Sequence, residues 1–383
     1  MSEQREEAAG LSLQERIDAC EEGGVVRIPA GVWKSGPLHL KSHMTLRLEA
    51  GCHILFSDRF FDYLPPVFTR WEGVECYNYS PLIYARDCED ITIEGEGMLD
   101  GNGAAWWPWK KKQQQAADRL IWAQSRQIPV KDRMFGTERD ALRPSFLQFL
   151  NCKNITVKDI TLVNGPQWTL HPVYCKQVHI SGVTIRTAGP NTDGCNPDSC
   201  EDVLIEDCCF ETGDDCIAIN SGLNEDGWRV NRPCKNVEIR NCRFLGGHAA
   251  IAIGSGMSGG IDEIRVHDCV IEHAERGIRV KSMRGRGGYV RNLHFEHIKM
   301  GEVEREAIQI SMNYGSSTSV PASKIAPTFC DFSFEDISCN HAAVGLELVG
   351  LPESPLKKIS FHNLRLIADV KEKTSDTEEI NFS

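Results

Sequence analysis

The chain has 383 residues, 41% hydrophobic and 25% charged, with a formal net charge of −12, proportions ordinary for a soluble globular protein. No run approaches the roughly 18 apolar residues a membrane span needs. The acidic balance excludes nucleic acid as an expected partner, and an anionic sugar polymer would need a local basic patch to bind.

The start, Met1-Ser2-Glu3-Gln4-Arg5-Glu6-Glu7, is acidic and lacks the apolar core of a secretory signal. Sixteen cysteines amount to about 4% of the chain, below the disulfide-rich class. Several, such as Cys208, Cys242 and Cys269, sit inside apolar runs as small hydrophobes do. No C-x-x-C pair occurs, so metal ligation is not expected either. Free thiols and a cytoplasmic location are the expectation.

Leu13, Ile17 and Ala19-Cys20 recur at helical spacing within Ser12 to Glu22, closed by Gly23-Gly24. This predicts a short amphipathic helix able to cover the open end of a sheet stack. Short alternating strands follow at residues 25–29, 36–40 and 44–48, split by Gly, Pro and Ser turns.

From Cys88 onward the chain resembles itself. Copies of C-x-(N/D)-φ-x-φ-x-(N/D)-φ-x-φ, with φ an apolar residue, begin at Cys152, Cys175, Cys200 and Cys234, with weaker ones near Gly260, Val290, Cys330 and Leu356. Starts from Cys152 are 23, 25, 34 and 26 residues apart. That is too short for strands joined by crossover helices. It suits one coil per repeat of a parallel β-helix, and the repeated side-chain types disfavour a β-sandwich.

Two stretches break the repeat. Residues 103–143 are helix-prone and carry Trp106, Trp107, Trp109 and Trp122, expected to pack the insertion onto the coils rather than stack on sugars. Residues 311–327 read as a Ser-, Thr- and Pro-containing loop.

Between Ala188 and Asn220 lie Asn191-Thr192-Asp193-Gly194 and Gly213-Asp214-Asp215-Cys216, with Asp193 and Asp214 21 residues apart. Each alone is an ordinary turn sequence. One coil apart, they stack three carboxylates, which self-repulsion disfavours unless the site uses them. An acid and a base about 6.5–9.5 Å apart would suit inverting glycoside hydrolysis. Adjacent strand residues face opposite sides, so Asp214 and Asp215 share a site only if the strand bends at Gly213. Later coils bring Gly247-His248-Ala249 and then Arg279-Val280-Lys281, a cation pair projecting to one face, flanked by Arg276, Arg284, Arg286 and Arg291.

The set N-T-D, G-D-D, G-H and R-x-K on such a solenoid resembles the polygalacturonases of glycoside hydrolase family 28, in their bacterial exo-acting form. The resemblance extends from Ser12–Leu55 through Asp100-Gly101-Asn102-Gly103, Arg143-Pro144, Gln148-Phe149 and Trp168-Thr169-Leu170-His171 to Arg284-Gly285-Arg286-Gly287-Gly288. It implies an all-β fold: one right-handed, single-stranded parallel β-helix domain over residues 1–383, with a cap helix within 1–24 and the 103–143 insertion near the active-site face. It further implies hydrolysis, with inversion and no metal or cofactor, of α-1,4-galacturonosyl bonds in pectic oligosaccharides. Asp214 is then the acid, Asp193 and Asp215 activate water, and His248 supports the acid's protonation. Arg279 and Lys281 hold the substrate carboxylate, with Asn191, Trp168 and His171 also on the substrate side. The family's G-H-G reads Gly247-His248-Ala249 here, a methyl expected to narrow a subsite or alter the substrate. Rhamnogalacturonan or modified-pectin hydrolysis, a Ca²⁺-dependent lyase and a non-catalytic carbohydrate-binding solenoid are the alternatives.

Overall fold

The computed structural model describes residues 11–315 and 323–383; the expected loop at 311–327 lies partly outside them, as do the first ten residues of the cap. The chain winds into stacked coils whose strands form three faces. One face is a 12-stranded parallel sheet running from Gly24–Ile28 to Thr377–Phe382. The second begins at Gly31–Ser35. The third, narrower face starts with Leu38–His39, Ile83–Arg86, Leu147–Leu150 and Leu170–Val173, and bridges at Cys195 and Asp198 carry it to Ile217–Ile219, Ile251–Ile253 and Ile278–Lys281. The parallel β-helix is as expected.

The repeat motif is explained coil by coil. Its first apolar position forms one vertical row, Ile155, Val178, Val203, Val237, Ile264, Leu293, Phe332 and Ile359, all buried. Both polar positions turn the chain through the left-handed region, where Asn and Asp are tolerated best among residues with a Cβ: Asn154, Asp202 and Asn236 have φ of 56°, 59° and 53°, and Asp159, Asp207 and Asn241 follow suit. Asn236 Nδ2 also donates to Asp202 Oδ1 on the coil before, at 2.6 Å. The cysteines are free, and most lie inside the coils. Near the C-terminal end Phe295, Phe334, Phe361 and Phe382 stack at 4.9–5.0 Å between ring centres, close to the strand spacing itself.

At the N-terminal end a helix spans Leu13–Asp18. Ser12 and Glu15 form a reciprocal capping box, and Leu13 and Ile17 are buried against the first coil. The insertion forms short 3₁₀ turns and a helix at Gln114–Ser125, whose Ala116, Ala117, Leu120 and Ile121 are buried. They pack on Trp71, Val74 and Cys76, which belong to an antiparallel hairpin, Val67–Trp71 with Val74–Asn78, that the repeat pattern did not reveal. Its two-residue turn, Glu72-Gly73, has φ of 42° and 84°, a backbone matched to the twist of a tight hairpin. Of the four tryptophans, Trp106 and Trp109 are buried against Phe60 and Tyr79, as a packing role requires, whereas Trp122 is exposed. Among the described residues no helix is long and apolar enough to cross a membrane.

Asn236→Ala is expected to cost about 1 kcal/mol in urea unfolding, because alanine pays for the left-handed turn and loses the bond to Asp202. Asn236→Gly should cost less; equal losses would show that the backbone conformation is not what the motif selects.

Candidate active site

The acid clusters occupy the corner leading into the third face. Asp193 precedes the bridge at Cys195, and Gly194 N donates to Asp215 O at 3.0 Å. Asp214 and Asp215 lie in the bend between Cys209–Glu211 and Ile217–Ile219, so both can face one site. Gly213 is required there: a Cβ would stand 2.2 Å from Gly189 O. One coil later His248 N donates to Asp214 O at 2.9 Å. An oxygen from each of Asp193, Asp214 and Asp215 lies within 4.8 Å of the others. In-register stacking brings Asp193 over the next coil, where Asp214 and Asp215 are neighbours in the chain.

Each acid has its own partners. Asp193 is buried and accepts from Asn196 Nδ2 at 2.9 Å. Burial, then the charges of Asp214 and Asp215, hold its carboxyl well above the usual range. Asp215 is buried and accepts from Lys281 Nζ at 2.6 Å, while its Oδ1 has no protein donor. Burial works against the Lys281 ammonium, but Asp215 outweighs it and the pKa rises. Asp214 is the most open of the three. It accepts from Asn191 Nδ2 at 3.4 Å and pairs with His248 Nδ1 at 3.1 Å. Burial pushes Asp214 up, but His248 and Lys281 outweigh it and leave the carboxyl below its ordinary value. The bond to Asp214 in turn raises the imidazole of His248.

A pocket opens over these acids. Trp168, Asn191 and Tyr314 are among the residues that line it. The hairpin tip Trp71-Glu72-Gly73 and Lys110, Gln113 and Gln114 of the insertion also contribute to its wall. Sequence reasoning missed Glu72, Lys110 and Tyr314, since nothing in W-E-G-V or the lysine run speaks of chemistry. Glu72 accepts from Gln167 Nε2 at 2.8 Å, and burial holds its carboxyl above the ordinary value. Arg143 ties the insertion to the site, donating to Gln113 Oε1 at 3.0 Å and Asn191 Oδ1 at 2.7 Å.

Three expectations need correction. His171 is 0% exposed and cannot touch a ligand; it lies beneath Trp168, ring centres 4.7 Å apart, within hydrogen-bond reach of Ser145 and Gln148. Ala249 is fully buried with Ala218 and Ala252, so its methyl fills space under the floor and does not narrow a subsite. The basic patch is mostly neutralised: Arg276 pairs with Glu275 and Glu306, Arg284 with Glu353, and Arg291 with Asp262. Lys281 is committed to Asp215. Arg279 donates to Gln309 Oε1 at 2.8 Å and lies over the Tyr314 ring.

The trio could in principle take a cation. Lys281 and His248 already supply positive charge to two of its three members, so the donor set does not call for a metal to balance it.

The sequence profile of the glycosyl hydrolases family 28 matches residues 134–381. This chain belongs to that family. A probable polygalacturonase of Vitis vinifera is 32% identical over 92% of this chain and 69% of its own length. An exo-poly-alpha-D-galacturonosidase of Dickeya chrysanthemi is 26% identical over 97% of this chain and 67% of its own. The crystal structure of a hyperthermoactive exopolygalacturonase from Thermotoga maritima superposes with a TM-score of 0.87 at 34% identity, covering 94% of this chain and 84% of that one. Family 28 membership makes the chain a glycoside hydrolase, and the acid corner is the only group of three or more potential ligand side chains of its kind among the described residues.

The raised Asp193 makes the acid corner unfavourable for the fold. Its folded pKa exceeds the unfolded one, so its contribution to stability is full below the unfolded value and declines as pH rises toward the folded value. Asp193→Asn is therefore expected to melt higher than wild type at neutral pH, by roughly 1–2 kcal/mol, with the gain vanishing near pH 4. A gain independent of pH would show that the carboxyl is not the cause.

Proposed function

We propose that this family 28 hydrolase cleaves α-1,4-galacturonosyl bonds and removes sugars from the end of pectic oligosaccharides. The observation that supports exo action is the wall: the Glu72-Gly73 hairpin tip and Lys110, Gln113 and Gln114 of the insertion line the same pocket as the acids, added bulk that suits a chain end better than a chain running through. The relatives named above act on galacturonans, which favours that sugar over rhamnogalacturonan, and the buried methyl of Ala249 removes the reason to invoke a modified substrate. A lyase would draw on Ca²⁺ among the acids, where Lys281 already pairs with Asp215. The stacked free thiols favour a reducing, cytoplasmic setting and a diet of imported oligomers.

In the mechanism we infer, the chain end enters the closed side and the leaving chain extends past the exposed His248. Asp214 protonates the leaving oxygen. The imidazolium lowers the pKa of Asp214, so its support is not to keep that carboxyl protonated by charge; instead the Asp214–His248 pair holds one proton between them across 3.1 Å. Asp215 Oδ1, without a protein donor, and Asp193 hold the attacking water. In that arrangement the water attacks the face of the sugar away from Asp214. Arg279, stacked on Tyr314, remains available to a sugar carboxylate, while Lys281 stays paired with Asp215.

Two measurements test this reading. Hexagalacturonate digested briefly and followed by chromatography and NMR should yield monomer and pentamer first, with the newly formed β-anomer appearing before mutarotation. Early trimer would sink exo action, and fresh α-anomer would sink single displacement. The pH profile addresses the pair. Activity should fall as pH rises through the pKa of His248, which lies above that of an ordinary histidine. In His248→Gln the alkaline limb should move acidward, toward the carboxylate range, with turnover down at least tenfold; an unmoved limb would remove His248 from the proton's path.

A further inference from the structure

Five arginines are almost wholly buried: Arg70, Arg133, Arg143, Arg276 and Arg286. A buried guanidinium is costly unless it is paired and its donors are used. Three meet carboxylates: Arg70 with Asp198 at 2.9 Å, Arg133 with Asp226 at 2.9 Å, and Arg276 with Glu275 at 2.6 Å. Arg143 has no carboxylate, but each of its nitrogens donates to an amide or carbonyl oxygen.

Arg286 stands apart. It is 1% exposed and lines the same pocket as the acids. Its guanidinium makes one bond, Nη1 to Asn224 Oδ1 at 2.8 Å, and its buried Nε finds no acceptor. Among the described residues no carboxylate pairs with it. Its backbone is nonetheless tightly held: Arg286 O accepts from Trp228 Nε1 at 2.9 Å, and Gly287 and Gly288 follow at φ of 55° and 68°. A Cβ on Gly288 would lie 2.5 Å from Met257 O, so the glycine turn that presents Arg286 is sterically required. Burial lowers its pKa to about 10, which leaves it cationic at neutral pH. Gly254, Ser255 and Gly256 line the same pocket and present little side chain to it.

We infer that Arg286 is the seat for the carboxylate of the uronate that enters the closed end of the pocket. The inference rests on the galacturonide reading above and goes beyond it by naming how the first sugar is told from a neutral hexose. Every sugar of a galacturonan carries a carboxylate, so two adjacent sugars need two cations. Arg279 can serve one, and Lys281 is committed to Asp215. A fork-shaped guanidinium with unused donors matches a carboxylate in bidentate fashion, and the ligand supplies the counter-ion that the protein withholds.

The test compares trigalacturonate with an analogue whose non-reducing terminal sugar has its carboxyl reduced to the alcohol, for wild type, Arg286→Met and Arg286→Lys. Wild type should favour the uronate end by about 100-fold in kcat/KM, the scale expected when one partner of a desolvated charge pair is removed. Arg286→Met should lose that factor on trigalacturonate and stay within about threefold on the analogue, so the preference collapses. Arg286→Lys, which keeps charge without the fork, should fall between them, and it carries the comparison if the methionine variant does not fold. Equal losses on both substrates would assign Arg286 to structure alone and overturn the inference, as would an unchanged preference. A wild-type enzyme that cleaves trigalacturonate without preferring it also overturns it, while leaving the proposed reaction intact. Inactivity of wild type on every galacturonide overturns the reaction, and the assignment with it.

Discussion

In-register stacking governs this molecule. Parallel strands repeat at about 4.8 Å from coil to coil, so each residue sits directly over its counterpart. Stacked apolar groups gain from this, and the rows of Ile, Val and Phe inside the coils are the gain made visible. Stacked charges lose by it. The outer faces manage the problem with alternation, as where Arg240 bridges back to Glu206 at 2.6 Å. At the acid corner the repulsion is not removed by alternation. It is contained by Lys281 reaching from a later coil and by His248 on the coil between, and it holds the Asp193 carboxyl above its usual range.

The solenoid provides the floor but not the end wall. The wall is built from the hairpin at residues 67–78 and the insertion, and buried ion pairs fasten both to the coils. Arg70 of the hairpin meets Asp198 on the third face, and Arg133 of the insertion meets Asp226 of the helix Asn224–Val230. Arg229 of that helix reaches back to Glu75 of the hairpin. Such pairs contribute little net stability once desolvation is counted. They suit a register device, since each charge accepts only its own partner in the dry interior, and they set where the wall stands over the acids.

Legibility in the sequence followed the same division. The coils were readable because the period repeats and its polar positions mark left-handed turns, so Asn154, Asp202 and Asn236 announced themselves. The acid corner was readable because Asp193 and Asp214 sit one coil apart. The hairpin was not, because Val67–Asn78 stands outside the repeat and its stability comes from the insertion packed on it. The arginine patch was misread for a related reason. Arg276 has Glu275 beside it in the chain, but Glu353, which neutralises Arg284, and Glu306, the second partner of Arg276, lie on later coils where no local pattern points to them. His171 was misread because Trp168 and His171, three residues apart, lie on opposite sides of the floor: the indole lines the pocket and the imidazole supports it from below.

Where the proton resides connects the electrostatics to turnover. In the free site burial and two neighbouring charges push the deepest carboxyl, Asp193, toward its protonated form, while His248 and Lys281 draw Asp214 toward its ionised form. Acid catalysis needs the reverse distribution. A uronate seated in the pocket brings another negative charge and excludes water. Both changes favour the protonated form of the carboxyl nearest the leaving oxygen. A uronate carboxylate would also compete with Asp215 for Lys281. The anionic substrate would thus help to load its own catalyst, which a neutral sugar of the same shape could not do. Recognition of the carboxylate and readiness of the acid are then one electrostatic event, set by how few unpaired cations the pocket leaves for a ligand to claim.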